Sequence, residues 1–334
     1  MNIIVPMAGA GKRMRPHTLT TPKPLLPVAG KSIVEWLLID IAKMNPGKLG
    51  EIAFVTGHFG QETEIELAQI AKRLNCTSSI HYQQTALGTA HAILCAKPVL
   101  KGPVIIAFAD TLFKTDFQLD KNADGVIWVK KVEDPRQFGV VKLNKENVIT
   151  DFVEKPSEFV SDLAIIGIYF FKDGENLCKE LEYLIENNIK DKGEYQLTNA
   201  MENMKKKGLK LLPGKVDEWL DFGNVEVSLS SHKRYLDFIK NQSLISQDVL
   251  LENTTLIQPV SIGAGTKISN SVIGPHISIG KNCHITNSII SNSMIRDNSN
   301  LTRVNLENSM IGNHTEVKGV LQSLNLGDYS TAKS

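Results

Sequence analysis

The chain has 334 residues, 42% of them hydrophobic and 22% charged, a balance typical of a soluble protein with a sizeable core. Its net charge of +1 gives no electrostatic basis for binding nucleic acid or an anionic membrane surface. The four cysteines form no C-x-x-C pair, and no segment approaches the roughly 18 apolar residues of a membrane helix. Because no targeting segment is visible either, we expect a cytoplasmic protein of about two domains.

Strands and helices are predicted to alternate along residues 1–242, which we assign to a first domain. The predicted strands are 2–6, 51–57, 79–83, 104–109, 125–131, 139–143, 148–153 and 164–172. The predicted helices are 33–44, 61–74, 86–97, 174–188, 195–206 and 224–240. This alternation indicates right-handed βαβ units and a Rossmann-like α/β fold with a mainly parallel sheet. Ligands on such sheets bind beyond the carboxyl ends of the strands, where the loop after the first strand would lie.

That first loop is rich in glycine and is followed by basic side chains. Gly9, Ala10 and Gly11 come just after the first predicted strand. Backbone N–H groups can approach a phosphate there, because glycine has no Cβ to keep the anion away. Arg13 and Lys23 can then supply positive charge to the phosphate oxygens. The spacing fits neither a three-glycine dinucleotide fingerprint nor a Walker loop, so we predict a triphosphate site of another kind.

A different period begins near residue 250, and we assign residues 250–334 to a second domain. Ile262, Ile279, Ile295 and Ile311 follow one another at steps of 17, 16 and 16 residues. Between them apolar residues return every five or six positions, and Asn and Ser fill the gaps. This pattern predicts a left-handed parallel β-helix of hexapeptide repeats, in which each coil buries its inward residues against its neighbours. An antiparallel sandwich with Asn/Ser turns is the alternative.

The pattern G-x-G-x-R-M-x-P, followed by P-K-P-L-L, resembles the signature of the sugar-phosphate nucleotidyltransferases. The resemblance implies transfer of a nucleotidyl group from a nucleoside triphosphate to a sugar 1-phosphate, with catalytic roles for Arg13, Lys23 and Asp110. Asp110 follows a predicted strand, and Asp221 lies in a W-x-D-x-G segment like that of the family. Both aspartates are therefore expected to hold Mg²⁺, which prefers a few carboxylate oxygens together with substrate phosphates.

A further segment, Gln83 to Ala92, is similar to the family element in which a glutamine and a glycine backbone meet a pyrimidine base. The resemblance implies that Gln83, Gly88 and Thr89 bind the nucleotide. A Gln amide offers both a donor and an acceptor, which suits the imide edge of such a base. We favour Gln83 over its neighbour Gln84 as the inward side chain. We give no substrate role to His91, which follows on the predicted helix.

The sugar side is implied by two other resemblances. Gly139 lies in F-G-V-V and Glu154–Lys155 in E-K-P, both similar to family motifs. The Glu154 carboxylate can accept hydrogen bonds from sugar hydroxyls, and the Lys155 ammonium can hold the sugar phosphate. Among the groups of the family, the glucose-1-phosphate thymidylyltransferases with a β-helical tail are the most similar. We therefore expect dTTP or UTP and glucose 1-phosphate as substrates.

Three other functions stay open: a mannose-1-phosphate guanylyltransferase-type enzyme, a bifunctional nucleotidyl- and acyltransferase, and a non-catalytic regulatory subunit. The acyltransferase would need a catalytic histidine in the tail. His276, His284 and His314 hold ordinary repeat positions, where we expect them to face solvent. Because a terminal coil leaves apolar groups without a neighbour, we expect the tail to organise a homo-oligomer.

Overall fold

The computed structural model describes residues 1–45 and 47–319, which divide into two units. The first unit contains Met1–Pro27 and Lys31–Ser228, and the second contains Val28–Gly30 together with residues 229–319. The domain boundary at 242–250 stays a prediction, and the last part of the predicted tail, 320–334, lies outside the described residues. No helix of the described chain is long and apolar enough to cross a membrane.

The strands before the repeat region are numbered in chain order. They are β1 (Asn2–Pro6), β2 (Pro27–Val28), β3 (Lys31–Ser32), β4 (Glu51–Thr56), β5 (Thr77–Tyr82), β6 (Val104–Ala107), β7 (Thr111–Lys114), β8 (Gly125–Lys131), β9 (Gly139–Leu143), β10 (Ile149–Glu154), β11 (Leu163–Phe171), β12 (Leu211–Lys215) and β13 (Glu218–Asp221). The α-helices are α1 (Ile33–Met44), α2 (Gln61–Arg73), α3 (Thr89–Cys95), α4 (Gly174–Glu186), α5 (Leu197–Lys206) and α6 (Val225–Ile239). The alternation of strands and helices confirms the predicted α/β class.

Nine of these strands form one mixed sheet in the order β10-β9-β11-β6-β1-β4-β5, with β8 beside β11 and β12 beside β8. The strand β1 pairs in parallel with both β4 and β6, so that Ile3 lies between Ile52 and Ile105. All three side chains are fully buried, as expected for a central parallel strand covered on both faces. The loops that follow β1 and β6 therefore leave the sheet at the same edge, which is where ligands of such sheets bind.

The structure differs from the predicted elements in two segments, 104–114 and 86–97. The strand predicted at 104–109 ends at Ala107, and the next residues lead into β7, which pairs with β13 in a separate two-stranded sheet that the sequence analysis missed. The helix predicted at 86–97 begins only at Thr89. Its predecessor Gly88 has φ +116, a backbone conformation that no helical residue adopts.

The repeat region folds into three parallel sheets, as predicted for a β-helix. Its strands are β14 (Leu250–Glu252), β15 (Thr255–Leu256), β16 (Val260–Ile262), β17 (Lys267–Ser269), β18 (Val272–Ile273), β19 (Ile277–Ile279), β20 (His284–Thr286), β21 (Ile289–Ile290), β22 (Met294–Ile295), β23 (Asn300–Thr302), β24 (Asn305–Leu306), β25 (Met310–Ile311) and β26 (Glu316–Lys318). The predicted column Ile262, Ile279, Ile295 and Ile311 lies in direct register from coil to coil. The antiparallel sandwich is therefore wrong.

Asparagine explains how each coil turns its corners. Asn253, Asn270 and Asn287 occupy successive coils at one corner, with φ of 43°, 49° and 51°. Asn visits this left-handed region more readily than other side-chain-bearing residues, because its short amide can hydrogen-bond locally. The amide of Asn253 also donates from Nδ2 to Oδ1 of Asn270, at 2.8 Å. The polar gaps in the repeat thus form the corners, and the isoleucines form the core.

Two histidines of the second unit lie away from solvent. His276 Nε2 is 2.8 Å from Asp237 Oδ1 and its side chain is 16% exposed, so the expectation that it faces solvent is wrong, although His284 and His314 are exposed. His232, on α6, is fully buried, with Nε2 2.6 Å from the hydroxyl of Ser278. Burial, and secondarily the charge of His276, lowers the pKa of His232 to about 3.

We predict that His232 makes the protein lose stability in mild acid. Its imidazole stays neutral when folded but takes a proton below pH 6.5 when unfolded, so acidification favours the unfolded chain between about pH 6.5 and pH 3. This one group should lower the free energy of unfolding by about 1.4 kcal/mol per pH unit in that window. Thermal unfolding of His232→Gln, measured between pH 7 and pH 4.5, should show a shallower loss of Tm than wild type.

The exposed His314 provides the control, because His314→Gln should keep the wild-type dependence of Tm on pH. Equal pH slopes for the wild-type protein and His232→Gln would contradict the assignment, whatever the absolute stability of the variant.

Candidate active site

A cavity of about 260 Å³ opens at the carboxyl ends of β1 and β6, within the first unit. Its lining combines the Gly-rich loop, the residues around Gln83 and the end of β6. The lining residues are Pro6, Met7, Ala8, Gly9, Lys23, Pro24, Gln83, Ala86, Gly88, Thr89, Ala92, Phe108, Ala109, Asp110 and Glu194. Six of the residues predicted from the sequence are among them: Gly9, Lys23, Gln83, Gly88, Thr89 and Asp110.

The Gly-rich loop leaves one side of this cavity open. A Cβ added at Gly9 would meet no atom within 4 Å, so a ligand can approach the backbone there. Gly11 has φ +58, and a Cβ there would lie 3.2 Å from Cβ of Lys23 and 3.1 Å from Cγ2 of Thr18. The hydroxyl of Thr18 donates to the carbonyl oxygen of Gly11 at 2.8 Å. Glycine at position 11 thus lets the loop pack closely against the segment that carries Lys23.

Lys23 joins the Gly-rich loop to the end of β6. Its Nζ donates to Oδ2 of Asp110 at 2.7 Å, and the lysine side chain is only 15% exposed. Asp110 lies between β6 and β7, and the backbone N–H of Phe222 donates to its carbonyl oxygen at 3.0 Å. The antiparallel pairing of β7 with β13 sets Asp221 opposite Thr111, so the two predicted aspartates lie at one end of this small sheet.

Electrostatics links Asp221 to the same group. Burial raises the pKa of the Asp221 carboxyl, and the negative charge of Asp110 raises it further, while Lys23 and Arg13 act in the opposite direction. A Cβ added at Gly223 would lie 2.9 Å from Oδ2 of Asp221 and 3.2 Å from Nη2 of Arg13. Two carboxylates and two cations thus meet beside the cavity, although Arg13 and Asp221 do not line it.

These carboxylates fit a magnesium ion that takes its remaining ligands from substrate. No group of three or more His, Cys, Asp or Glu side chains in the described residues could enclose a metal alone. Mg²⁺ commonly uses one or two carboxylates together with substrate phosphates and water. Burial and then the negative charge of Asp110 raise the pKa of Asp221, and a bound cation would favour the ionised form of both carboxylates.

The segment around Gln83 is held against the start of α5. The backbone N–H of Gln83 donates to Thr56 at 2.9 Å, and Gln84 is exposed and does not line the cavity. The hydroxyl of Thr89 donates to Oε1 of Gln196 at 3.0 Å and accepts from the N–H of Leu197 at 2.9 Å. Because the hydroxyl hydrogen of Thr89 is donated to Gln196, this hydroxyl can only accept a hydrogen bond from a ligand.

The predicted sugar-side residues lie together but outside the cavity lining. Glu154 pairs with Gly139 across β10 and β9, and a Cβ at Gly139 would lie 2.9 Å from Oε2 of Glu154. Burial raises the pKa of Glu154, although the charge of Lys155, 3.8 Å from the carboxylate, acts against it. The charge of Glu194, which does line the cavity, also raises this pKa. Sequence reasoning missed Glu194, which lies just before the helix predicted at 195–206 and carries no pattern that indicates a place beside the cavity.

Comparison with known proteins gives the class to which this sheet, loop and ion pair belong. The model of the family described as "Nucleotidyl transferase" matches residues 2–237, and the chain belongs to that family.

Individual relatives resemble the chain at modest identity. It is 30% identical to "Bifunctional protein GlmU" of Methanococcus vannielii over 96% of this chain and 73% of that protein. It is 29% identical to the protein of the same name from Methanococcus maripaludis but spans only 62% of that protein's length. It is 25% identical to "Glucose-1-phosphate thymidylyltransferase" of Streptomyces griseus over 100% of this chain and 99% of that protein.

Among solved structures, a UDP-glucose pyrophosphorylase complexed with UDP-glucose is similar with a TM-score of 0.57 and 25% identity. The match covers 71% of this chain and 98% of the other. The similarity thus spans nearly all of the pyrophosphorylase chain and leaves more than a quarter of this one unmatched.

We predict that Gly88→Ala disrupts the nucleotide side of the site. A Cβ at Gly88 would lie 2.6 Å from the backbone nitrogen of Tyr195 and closer still to its carbonyl oxygen. The loop must therefore move away from the backbone of Tyr195, and the affinity for nucleoside triphosphate, measured by calorimetry, should fall at least about tenfold.

Gly208→Ala is the matched control, because Gly208 also has a positive φ, +95, but an added Cβ would meet nothing within 4 Å. It should lower Tm through backbone strain and leave the nucleotide affinity unchanged. Wild-type affinity in Gly88→Ala would show that the close contact with Tyr195 does not shape the site.

Proposed function

We propose that this chain transfers a nucleotidyl group from a pyrimidine nucleoside triphosphate, dTTP or UTP, to glucose 1-phosphate and releases pyrophosphate. The observation that carries the proposal is the composition of one cavity. The phosphate-accessible loop at Gly9, the Lys23–Asp110 ion pair and the Gln83 amide all line it. One cavity therefore offers backbone N–H groups for a triphosphate, a carboxylate for its metal ion and an amide for its nucleobase.

The relatives support the substrate classes. The similar protein of Streptomyces griseus is a glucose-1-phosphate thymidylyltransferase, and the similar solved structure is a pyrophosphorylase bound to UDP-glucose. Both names combine a glucosyl phosphate with a pyrimidine nucleotide. Thymine and uracil differ by one methyl group, and no described residue of the cavity is assigned to distinguish them.

In the proposed reaction two anions, the nucleoside triphosphate and the sugar 1-phosphate, must approach each other, and basic side chains of the protein reduce their repulsion. A phosphate oxygen of the sugar 1-phosphate attacks the α-phosphorus, the bond from that phosphorus to the bridging oxygen of the β-phosphate breaks, and pyrophosphate leaves. In this proposal, Arg13 and Lys23 offset the charge that grows on the leaving group. Oriented backbone N–H groups of the Gly9 loop can hold the triphosphate for an in-line attack.

The acidic residues and the sugar-side residues have separate tasks in this proposal. Asp110 and Asp221 would hold Mg²⁺, which when bound supplies positive charge to the phosphate oxygens. The Glu154 carboxylate would accept hydrogen bonds from sugar hydroxyls, and Lys155 would pair with the sugar phosphate. The ammonium of Lys192 donates to the carbonyl oxygens of Glu154 and Lys155, at 3.0 and 2.8 Å, which fixes the backbone that carries both side chains.

The test is a screen of nucleoside triphosphates against sugar 1-phosphates, with pyrophosphate release as the readout. Mg²⁺-dependent release with dTTP or UTP and glucose 1-phosphate is the expected result. Turnover with only GTP and mannose 1-phosphate would show a guanylyltransferase and contradict the pyrimidine assignment. No turnover with any pair of substrates would contradict the proposed activity as a whole.

Asp110→Asn and Asp221→Asn should each lower turnover by about 100-fold or more, because each removes a charge that acts on the phosphates through the metal. Asp120→Asn is the control, since Asp120 is exposed and does not line the cavity. Thermal unfolding should show that all three variants are folded. Near-native turnover of either active-site variant at saturating Mg²⁺ would remove that residue from the metal site.

We further propose that the second unit organises identical subunits and carries no chemistry of its own. Five large apolar side chains in the described part of this unit are exposed: Phe238, Leu250, Leu251, Ile257 and Ile289. Light scattering on the full chain should give a mass of at least two subunits, and Leu251→Lys with Ile289→Lys should lower it while sparing turnover. A wild-type monomer at micromolar concentration would contradict this assignment.

A further inference from the structure

The side chain of Gln83 has both of its donor sites occupied within the protein. Its Nε2 is 3.2 Å from the carbonyl oxygen of Gly88 and 3.1 Å from Nδ1 of His91. Gln83 follows β5, and His91 lies in the first turn of α3, so the contact joins two elements on either side of the Gly88 loop. Sequence reasoning gave His91 no role, because nothing in the chain order indicates this contact.

The chemistry of these partners fixes which way the amide points. A backbone carbonyl oxygen can only accept, so the amide nitrogen of Gln83, and not its oxygen, must face Gly88. The same nitrogen then donates its second hydrogen to His91, whose Nδ1 must be the unprotonated atom of a neutral ring. Burial lowers the pKa of His91, which favours that neutral form. Without His91 only one of the two hydrogens would be held.

Only the oxygen of the Gln83 side-chain amide remains available to a ligand. With both hydrogens of Nε2 engaged, Gln83 has only its Oε1, an acceptor, left to offer a ligand in the cavity that it lines. The amino groups of cytosine and adenine can also donate, so an acceptor discriminates between bases only where it meets the ring nitrogen in the middle of the pairing edge. Uracil and thymine carry an N–H there, at N3, and guanine carries one at N1, whereas cytosine N3 and adenine N1 are themselves acceptors.

We propose that His91 is a positioning residue that sets the base selectivity of the site by holding Gln83 with its carbonyl oxygen toward the nucleotide. The proposal rests on the proposed function in one respect, namely that the base lies against Gln83. His91 does not need to touch the nucleotide. Its helix is anchored in the core by Ala90 and Ile93, both fully buried, so the position of its ring is set independently of any ligand.

Direct binding tests this without relying on turnover. Calorimetry with UTP, CTP and N3-methyluridine triphosphate should show that the wild-type protein binds UTP at least about tenfold more tightly than the other two, as one hydrogen bond and one unpaired acceptor predict. In His91→Leu, which removes the acceptor but keeps much of the volume, the preference for UTP over CTP should fall to within about threefold. In His91→Asn, whose amide oxygen can take the place of Nδ1, the preference should return.

His81→Leu is the matched control. His81 lies on β5, two residues before Gln83. Its Nε2 is 2.9 Å from the hydroxyl of Ser79, so it makes its hydrogen bond to a residue other than Gln83. This variant should keep the wild-type ratio of UTP to CTP affinity. The affinity of every variant is measured well below its own Tm, so that loss of folding does not contribute to the ratio.

The outcomes separate the two proposals. A wild-type protein that binds UTP and CTP equally, or a His91→Leu variant that weakens both by the same factor, would overturn the role of His91. Selective UTP binding that is lost in His91→Leu, in a protein that transfers nothing to any sugar phosphate, would support His91 and overturn the proposed function. Binding of GTP in preference to ATP, with the same loss in His91→Leu, would support His91 while replacing the pyrimidine assignment.

Discussion

The contact between Lys23 and Asp110 is the interaction around which the first unit's cavity is arranged. An ion pair that keeps part of its surface in water contributes about 1 kcal/mol or less to stability, so its importance is not energetic. It matters because it joins the loop after β1 to the end of β6. Glycine at position 11 permits the close packing that this contact needs, and the β7–β13 pairing then brings Asp221 to the same place. The positive and negative groups that phosphate chemistry requires are thus held by the fold itself.

Much of the architecture could be predicted from the sequence because it depends on local periodicity. The buried run at the N-terminus gives β1, and the isoleucine spacing gives the coils of the tail almost residue by residue. Likewise, Gln83 could be favoured over Gln84, and Asp110 and Asp221 chosen together, from motif resemblance. The structure places Gln83 in the cavity lining and the two aspartates beside each other, although their roles stay predictions.

Other features could not be predicted because they depend on contacts between distant residues. The β7–β13 sheet joins two short segments more than 100 residues apart, and neither carries a strong strand pattern. The hydrogen bond from Gln83 to His91 depends on the turn at Gly88, whose φ the sequence does not reveal. Similarly, residues 28–30 belong to the second unit: the N–H of Ala29 donates to the hydroxyl of Ser278, 249 residues later. No composition or period marks such a contact.

The parallel coils also determine how the tail can change length over evolutionary time. Residues in register are separated by one full coil, 17 residues between Ile262 and Ile279 and 16 between Ile279 and Ile295, and each strand pairs only with the equivalent strands one coil above and below. Duplication or loss of a whole coil would therefore preserve every corner and every inward column, because each coil contacts only its neighbours. Insertion of one or three residues within a strand would instead turn inward isoleucines outward, because successive side chains of a strand point to opposite faces. Variation in the length of this part of the molecule is thus expected to occur in units of one coil.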